Sequence, residues 1–352
     1  MKIGILTFHW AVNYGAILQA FALQKYLETK GHEVSVINYK PKCAETSILY
    51  YIKSPRRVLS LIKHYKDIKC QSIKDHRLDL FRTKYLHLTN RCYTHDDVAQ
   101  IVSDYDILIS GSDQILNPHF TLLGEGNPTS VYYLNFNCKA RKIGYAVSFG
   151  CITYPEKAAE YAIKWIQNFD SVGTREQTGM EILHQLGYSK ECLVVPDPTV
   201  LCGKSLFENI ELHIDKKDYT YVYLLHNRKL DATYASHRTR PILYADSEVR
   251  NTSMTIWLEN IVSAKEFITN SYHGMIMSIL FHVPFVVLLE SDKGAGMNDR
   301  FTTLLSRLQL TDRIVENDAQ DINAAFLKEI DWFLVDALMA DFRRIGEDFF
   351  NY

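Results

Sequence analysis

Apolar and polar positions alternate along this chain in a pattern that switches between strand and helix periods. Residues 3–8 form an apolar run that predicts a buried strand, and residues 34–39 predict a second one. Between them, residues 16–30 carry apolar side chains at helical spacing, and Gly31 ends that helix. This β–α–β opening favours a parallel sheet, because parallel neighbours need a crossover connection.

The pattern continues in two series of apolar strands separated by helical segments. Further strands are predicted at 106–110, 142–149, 171–175 and 192–195, and then at 219–225, 241–244, 266–269 and 284–289. We therefore predict an α/β protein with two domains. The first spans residues 1–200, with a helical insertion at about 42–100, and the second spans 201–330. Residues 331–352 are predicted to form a terminal helix that packs back on the body.

The segment from Phe267 to Gly274 predicts an anion-binding site. A buried strand is followed by a polar loop with Ser271 and His273, and Gly274 then lets the backbone turn into an apolar helix. The amide groups of such a helix N-terminus suit an anion, and open α/β sheets bind ligands at the carboxyl ends of their strands. The alternative is that His273 is a hydrogen-bonded structural residue beside an apolar helix.

Composition limits the classes of partner. The chain has 352 residues, a formal net charge of -2 and a pI of about 6.7, which argues against a nucleic-acid partner. The seven cysteines include no C-x-x-C pair, which indicates reduced thiols in a cytoplasmic protein and no structural zinc. Residues 2–8 predict no cleavable signal peptide. The apolar stretch at 276–289 is too short to span a bilayer, so any membrane contact is expected to be peripheral.

Several enzyme motifs are absent from the sequence. No G-x-G-x-x-G follows the first strand and no G-x-x-x-x-G-K-[ST] occurs, which argues against dinucleotide oxidoreductases and P-loop proteins. H-E-x-x-H, G-x-S-x-G and paired metal-ligand spacings are also missing, so we predict no metal ion. What remains are binding loops suited to phosphate and to hydroxyl groups.

These loops follow one another in a recognisable order. They are Asn13–Gln19, Ser110–Gln114 with Asn117, Gly144–Gly150, Thr174–Glu176, Asp197–Thr199, Ser271–Gly274 and Asn298–Phe301. By these motifs the chain resembles the polysaccharide pyruvyl transferase family, over most of the sequence from residue 3 to about 310. The resemblance implies transfer of the pyruvyl group of phosphoenolpyruvate to hydroxyls of a sugar. That sugar would belong to a cell-surface polysaccharide, such as an exopolysaccharide or capsule, or to its lipid-linked precursor.

The resemblance also implies a reaction outcome and an architecture. The product would commonly be a cyclic ketal, with phosphate as the leaving group and no cofactor beyond the donor substrate. The fold would be two facing Rossmann-like domains with parallel sheets, as in GT-B glycosyltransferases. The acceptor would bind on the side of the first domain and the donor on the side of the second. The two strand series agree with this architecture independently.

Donor chemistry is assigned first to the loop around His273. We predict that His273 contacts phosphate, acts as a general acid, or does both, because imidazole titrates near neutral pH. Ser271 and Gly274 are predicted donor contacts beside it. Arg175, at the end of a strand, is predicted to bind carboxylate or phosphate, since the guanidinium fork suits both groups. The alternative for Arg175 is an ion pair with Glu176 or another surface acid.

The resemblance implies a second cation at the donor site, because some relatives carry Arg at the position of Ser271. We predict that Arg300 replaces it, with Asn298 nearby, because the glycine-containing loop before these residues follows the last strong strand and could close over an anion. The alternative is a solvated loop charge. Asp197–Thr199 is interpreted as a turn at the domain junction and is not assigned to the site.

Acceptor contacts are predicted on the first domain. Asp113, just beyond a buried strand, is the second predicted catalytic residue, which would orient or deprotonate a sugar hydroxyl, while Gln114 fixes another. Asn13, Tyr14 and Gln19 surround the first strand-to-helix turn and are predicted to contact substrate oxygens. The alternatives are that Asp113 caps the following helix and that Asn13 only stabilises its turn.

The insertion is unusually basic. Residues 53–84 contain ten Lys or Arg against three Asp. Val58, Leu59, Leu61, Ile62 and Tyr65 are predicted to form an apolar helical face. Such a helix could contact an anionic membrane surface or the diphosphate of a lipid-linked acceptor, which would place the protein at the inner face of the membrane. The alternative is a solvated helix packed on the first domain.

Two other functions fit the same sequence. A GT-B glycosyltransferase with a nucleotide-sugar donor would use the same architecture, because fold does not settle donor chemistry. A non-catalytic protein that binds carbohydrate or phosphate is the other alternative, and the cation missing at Ser271 is its motivation.

Overall fold

The computed structural model of the protein describes residues 1–41, 44, 65–122, 128–208, 210–226, 228–236, 240–245, 253–289 and 297–351. It contains two parallel β-sheets, one in each half of the chain, with helices packed around them. The predicted α/β class with two parallel sheets is therefore confirmed.

Six parallel strands form the first sheet, in the spatial order β2-β1-β3-β4-β5-β6. They are β1 (Lys2–Leu6), β2 (Glu33–Val36), β3 (Ile107–Ser110), β4 (Arg141–Val147), β5 (Ser171–Thr174) and β6 (Cys192–Val194). Ile5 packs into one core cluster and Leu6 into another, so β1 is buried on both faces. This explains why its sequence is a continuous apolar run without alternation.

The helices of the first half are α1 (Tyr14–Thr29), α2 (Tyr65–Tyr85), α3 (His95–Ala99), α4 (Pro118–Thr121), α5 (Glu156–Trp165), α6 (Gln177–Gln185) and α7 (Pro198–Cys202). Short 3₁₀ turns cover Val102–Asp104, Val131–Tyr133, Ile166–Asn168 and Gly203–Phe207. Helix α1 is buried along nearly all of its length, because it lies between the first sheet and the second half of the chain.

The second sheet has five parallel strands in the order β11-β10-β9-β7-β8. They are β7 (Thr220–Tyr223), β8 (Ile242–Tyr244), β9 (Glu266–Thr269), β10 (Phe285–Leu288) and β11 (Ile314–Val315), which follows a 3₁₀ turn at Thr311–Arg313. The helices are α8 (Ala232–Ser236), α9 (Met254–Ser263), α10 (Tyr272–Leu280), α11 (Asp299–Arg307) and α12 (Ala319–Leu327). Strand β11 was not predicted, because two apolar residues between polar neighbours carry no periodicity.

The terminal helix α13 (Trp332–Phe349) contacts both halves of the molecule. At its start, Trp332 stacks on His282 with ring centroids 4.9 Å apart. At its end, Phe350 lies 4.6 Å from the ring of Tyr145 in β4. Helix α13 therefore lies across the two halves.

Part of the predicted insertion lies outside the described residues, namely 42, 43 and 45–64. These include the apolar positions Val58, Leu59, Leu61 and Ile62. The described remainder contains α2 and α3. The first sheet ends at Val194 and the second begins at Thr220, while the domain boundaries at 200 and 330 stay a prediction.

The strand orders place one crevice at the carboxyl edge of each sheet. In the first sheet the chain leaves β1 toward β2 on one side and continues with β3 on the other side. In the second sheet it leaves β7 toward β8 on one side and continues with β9 on the other. Ligands of open α/β sheets bind at such reversal points. The loops after β1 and β3 are joined there, since Thr7 Oγ1 donates to the carbonyl of Ser112 at 2.9 Å.

Candidate active site

A buried carboxylate, that of Asp197, joins the two halves of the molecule. Asp197 precedes α7 and its Oδ1 accepts hydrogen bonds from the amide and hydroxyl of Thr199, at 2.9 and 2.6 Å. Its Oδ2 accepts from Ser112 Oγ at 2.7 Å and from Arg175 Nη1 at 3.4 Å, both in the first half. The same oxygen lies 3.2 Å from Nε2 of His273, which belongs to the second half.

The surroundings keep Asp197 ionised. Burial alone would raise the pKa of this carboxyl, but the contacts with His273, Arg175 and Thr199 outweigh burial and hold the pKa well below its usual range. An ionised carboxylate only accepts hydrogen bonds, so Nε2 of His273 carries a proton in this pair. The interpretation of Asp197 as a mere junction turn was therefore incomplete, because the residue both caps α7 and orients the histidine.

His273 is held from the opposite side by Gly15. His273 lies in the first turn of α10, where its side chain is 8% exposed. A Cβ atom added at Gly15 would lie only 2.1 Å from His273 Nδ1. The amide of Gly15 donates to Oδ1 of Asn13, the residue that caps α1, at 2.8 Å. The first turns of α1 and α10 therefore meet at the imidazole, and only glycine leaves room for the ring.

We expect Gly15→Ala to destabilise the protein by about 1 to 3 kcal/mol, the usual cost of overpacking. Elsewhere in a helix the same change is commonly stabilising, by roughly 0.5 to 1 kcal/mol. Denaturant unfolding of both proteins measures the difference. A variant as stable as the parent would show that His273 does not occupy this position.

Two arginines converge on one aromatic ring beside His273. The guanidinium carbon of Arg175 lies 4.9 Å from the ring centroid of Tyr272, and that of Arg300 lies 5.6 Å from it. Arg175 Nε and Nη2 and Arg300 Nε are buried, and they make no hydrogen bond to the described residues. Buried donors without acceptors are costly, so this pair of cations is suited to a bound anion.

Carboxylates partly balance these charges. Arg175 Nε lies 3.7 Å from Glu176 Oε2, and Nη2 lies 3.8 Å from Asp113 Oδ1. Burial opposes the charge of Arg175, but Glu176, Asp113 and Asp197 together raise its pKa. For Arg300, burial and the neighbouring Arg175 lower the pKa to about 10. The ion pair between Arg175 and Glu176, which was the alternative, is present. Both distances exceed hydrogen-bond length, however, so Nε and Nη2 of Arg175 still lack hydrogen-bond partners among the described residues.

Arg300 is positioned by its neighbour Asp299. The amide and hydroxyl of Thr178, in the first turn of α6, donate to Asp299 Oδ2 at 3.0 and 2.8 Å. This contact joins α11 of the second half to α6 of the first and brings Arg300 to Tyr272. Asn298 directly precedes α11, and its carbonyl accepts the amide of Phe301 at 2.9 Å. The glycines at 294 and 296 lie outside the described residues.

Asp113 adopts an unusual backbone conformation at the end of β3. Its φ of 89° lies in a region that residues other than glycine rarely occupy. Its side chain is 19% exposed, and Oδ1 accepts the amide of Gln114 at 2.9 Å. Such strain recurs at functional sites, where the surrounding structure fixes it. Gln114 Oε1 accepts a hydrogen bond from Nδ2 of Asn117 at 3.2 Å.

Two predicted acceptor residues are packing residues in this structure. Tyr14 is fully buried, and its ring stacks on Trp257 of α9, with centroids 4.9 Å apart and planes at 10°. Gln19 is also fully buried, and its Nε2 donates to Thr7 Oγ1 at 2.8 Å. Neither side chain is accessible to a sugar, because α1 is covered on both sides. These two assignments are therefore corrected.

Three further predicted residues make helix-capping contacts, which for Asn13 was the stated alternative. Ser271 Oγ accepts the amide of Gly274 at 3.2 Å, so the N–H group of Gly274 is already engaged. The hydroxyl proton of Ser271 can still be donated to a ligand. Asn13 Oδ1 caps α1 through the amides of Gly15 and Ala16. Gly274 therefore shapes the first turn of α10 and is not an amide donor to substrate.

The described part of the basic insertion directs two of its cations inward. Arg82 is 5% exposed and donates to the carbonyls of His9, Trp10 and Ala11, which form the loop after β1. Lys74 Nζ lies 4.1 Å from the ring centroid of Tyr14. For these two residues the alternative of a helix packed on the first domain holds.

Among the described residues, no group of three or more His, Cys, Asp or Glu side chains could hold a metal ion. None of the helices in the described ranges combines the length and apolar character that a bilayer span requires.

Comparison with known proteins bears on both the family and the fold. A family model for polysaccharide pyruvyl transferase matches residues 13–292. No curated protein matches the sequence significantly. Among solved structures, a Listeria monocytogenes protein provisionally described as UDP-N-acetylglucosamine 2-epimerase aligns at 10% identity and a TM-score of 0.51, covering 96% of this chain and 90% of that one.

Two further structures are similar at lower scores. UDP-GlcNAc 2-epimerase from Methanocaldococcus jannaschii has 10% identity and a TM-score of 0.49, over 94% of this chain and 93% of that one. Arabidopsis thaliana UGT89C1, complexed with UDP-L-rhamnose, also has 10% identity and a TM-score of 0.49, over 99% and 94%. At these identities the likeness concerns the fold alone, which is GT-B-like, with two facing Rossmann-like halves.

Proposed function

Because the chain belongs to the polysaccharide pyruvyl transferase family, we propose that it moves the pyruvyl group of phosphoenolpyruvate onto sugar hydroxyls. The sugar belongs to a cell-surface polysaccharide or to its lipid-linked precursor. The product is a ketal, and phosphate is released.

The observation that carries this proposal is the pair of arginines next to an oriented histidine. Phosphoenolpyruvate has a carboxylate and a phosphate, and Arg175 and Arg300 have buried donors without acceptors among the described residues. Arg175 and His273 share one carboxylate oxygen of Asp197, at 3.4 and 3.2 Å, so the cations and the imidazole lie together. Guanidinium groups suit both anionic ends of the donor.

His273 is the proposed general acid. Protonation of the methylene carbon of phosphoenolpyruvate makes the central carbon electrophilic toward a sugar hydroxyl. Nδ1 packs against Gly15, so the proton is delivered from Nε2–H, which Asp197 orients at 3.2 Å. The depressed pKa of Asp197 keeps its carboxylate from taking that proton.

Asp113 is the proposed acceptor-side residue. Its partly exposed carboxylate orients or deprotonates the attacking hydroxyl, with Gln114 beside it. A second hydroxyl of the same sugar then displaces phosphate and closes the ketal. In the net reaction, one hydroxyl proton ends on the new methyl group and the other on the released phosphate.

Binding of the donor gives a direct test. Millimolar phosphoenolpyruvate should raise the melting temperature of the protein, since a ligand at one hundred times its dissociation constant adds about 2.7 kcal/mol. Arg300→Gln should lose most of this stabilisation. Arg307→Gln is the matched control, because Arg307 lies on the same helix with its guanidinium 4.3 Å from the ring of Phe342 and outside the site.

Two other results of this experiment would support the alternative functions. Stabilisation by nucleotide sugars without any effect of phosphoenolpyruvate would indicate a GT-B glycosyltransferase and contradict the proposal. Binding of phosphoenolpyruvate without phosphate release in the presence of a competent acceptor would indicate a non-catalytic binding protein.

Contact of the insertion with an anionic membrane, and a cytoplasmic location, remain proposals. The basic composition of residues 53–84 supports the first, although Arg82 and Lys74 are directed inward.

A further inference from the structure

The carboxyl group of Glu176 is buried beside the arginines of the site, and the reaction steps described above give it no role. Glu176 directly precedes α6, but its side chain makes no capping hydrogen bond to that helix. The side chain is 4% exposed, and its Oε2 makes no hydrogen bond to the described residues. A buried oxygen without a partner is costly, so this atom is suited to contact with a ligand.

This oxygen lies among donors that also lack partners. Arg175 Nε is 3.7 Å from Glu176 Oε2, which is too long for a hydrogen bond. That Nε atom, Arg175 Nη2 and Arg300 Nε are buried and make no hydrogen bond to the described residues. Both guanidinium groups lie next to the ring of Tyr272. One ligand can therefore accept hydrogen bonds from the arginines and meet the carboxyl group at the same place.

The charges around Glu176 act on its ionisation in opposite directions. Burial raises the pKa of Glu176 above its ordinary value, although Arg175, the hydroxyl of Ser148 and Arg300 oppose burial. The neighbouring carboxylate of Asp299 also raises the pKa. The group is therefore easier to protonate than an exposed glutamate, while the two arginines can still stabilise its charged form.

The other ionisable groups next to Glu176 are uncharged at neutral pH. Burial raises the pKa of the Cys151 thiol to about 11, and it raises the pKa of the Tyr272 phenol well above its ordinary value. The remaining charged groups of the site contact Arg175 or one another, namely Asp113, Asp197 and His273. Glu176 is therefore the carboxyl group whose ionisation places a new negative charge directly beside a bound anion.

A phosphate group fits this combination of donors and carboxyl group. Its oxygens accept from guanidinium, and a phosphate monoester has a second pKa of about 6, so it can share a proton with a buried glutamic acid. A ligand carboxylate, with an ordinary pKa of about 4, holds a shared proton less well. Without a proton between them, Glu176 and the phosphate would be two like charges in contact.

We propose that Glu176 binds the phosphate end of the donor through a shared proton and delivers that proton to the phosphate as it leaves. The bond between the central carbon and the bridging oxygen breaks, and its electron pair stays on that oxygen. The proton of Glu176 moves to the phosphate, and Arg175 stabilises the carboxylate that remains. The proton that the second sugar hydroxyl gives up balances the one that Glu176 loses.

This inference rests on the proposed function for the identity of the donor, but the shared proton is testable without turnover. Sulfate is the probe, because it has the shape of phosphate and brings no proton of its own. If Glu176 must be protonated beside the anion, the affinity for sulfate falls about tenfold per pH unit above the pKa of Glu176. Glu176→Gln keeps the neutral shape at every pH, so it should not show this part of the decrease.

Isothermal titration calorimetry from about pH 5 to about pH 9 measures the affinities. Protons taken up by other groups are common to both proteins, so the ratio of the two affinities isolates Glu176. Glu266→Gln is the matched control, because Glu266 also pairs with an arginine, Arg240, and is 12% exposed at the start of β9, outside the site. The control should follow the parent. Parallel profiles for the parent and Glu176→Gln would overturn the proposal.

A second measurement leaves Glu176 unchanged. In His273→Gln the imidazole is no longer a proton carrier, and titration of sulfate in two buffers of different ionisation enthalpy counts the protons taken up on binding. Uptake that approaches one proton in the upper part of the pH range supports the proposal. No uptake at any pH, or no binding of sulfate at all, overturns it.

Thermal stabilisation by phosphoenolpyruvate is measured on the same samples. If phosphoenolpyruvate fails to stabilise the parent while sulfate binds together with a proton, the donor assignment is wrong and the shared-proton site stands. If phosphoenolpyruvate stabilises the parent while sulfate binds without a proton, the donor assignment stands and the role of Glu176 is wrong.

Discussion

Replacement of His273 by glutamine should lower pyruvyl transfer by about a thousandfold, within the range that general acid catalysis contributes. Glutamine can still donate a hydrogen bond toward Asp197, but it cannot deliver a proton at neutral pH. The acceptor need not be known, because the readout is ketal-linked pyruvate in the surface polysaccharide of a deletion strain complemented with each variant. The fold should survive, since the side chain is replaced by one of similar size.

His282→Gln is the matched control for this experiment. His282 also pairs through Nε2 with a carboxylate, that of Asp336 at 2.9 Å, and its ring stacks on Trp332, away from the site. The control should retain ketal formation. Full ketal content with His273→Gln would rule out His273 as the general acid. Equal losses in both variants would point to a general effect of removing a buried or stacked imidazole.

The strand ends of the site could be predicted from sequence because burial on both faces leaves a clear pattern. Residues 266–269 and 171–174 are short strands, buried over most of their length, that lead directly into polar residues, and a parallel sheet places such ends on one edge. This is how His273 and Arg175 could be found. Arg300 was inferred from a missing cation, and the structure brings it to the same aromatic ring as Arg175.

The misassigned residues share a physical cause. Tyr14 and Gln19 lie on a helix that is buried on nearly all sides, and sequence does not show which polar side chains of such a helix face the core.

Asp197 was missed because its local sequence suggested only a structural role. An Asp before Pro-Thr carries the sequence signal of a helix cap, and it does cap α7, but its second oxygen serves Ser112, Arg175 and His273, which are distant in sequence.

Asp197→Asn should be the most destabilising of the changes considered, by about 3 to 5 kcal/mol, the usual cost of breaking a buried ion pair. The amide keeps the size of the side chain and can still accept from Thr199. Its NH₂ group, however, would face the donors of Ser112, Arg175 and His273, and Arg175 would lose a buried counter-charge. Denaturant unfolding at neutral pH measures the loss.

The pH dependence of this loss of stability distinguishes the effect of the missing charge from the effect of altered packing. The pKa of Asp197 is depressed in the folded protein, so its contribution is complete above the unfolded value of about 4 and is lost as pH falls toward the depressed pKa. The free energies of unfolding of the two proteins should therefore converge below about pH 4. Asp331→Asn is the matched control, because Asp331 caps α13 on the surface and asparagine caps equally well. A constant difference between Asp197→Asn and the parent across this range would mean that lost packing, and not the buried charge, accounts for the effect.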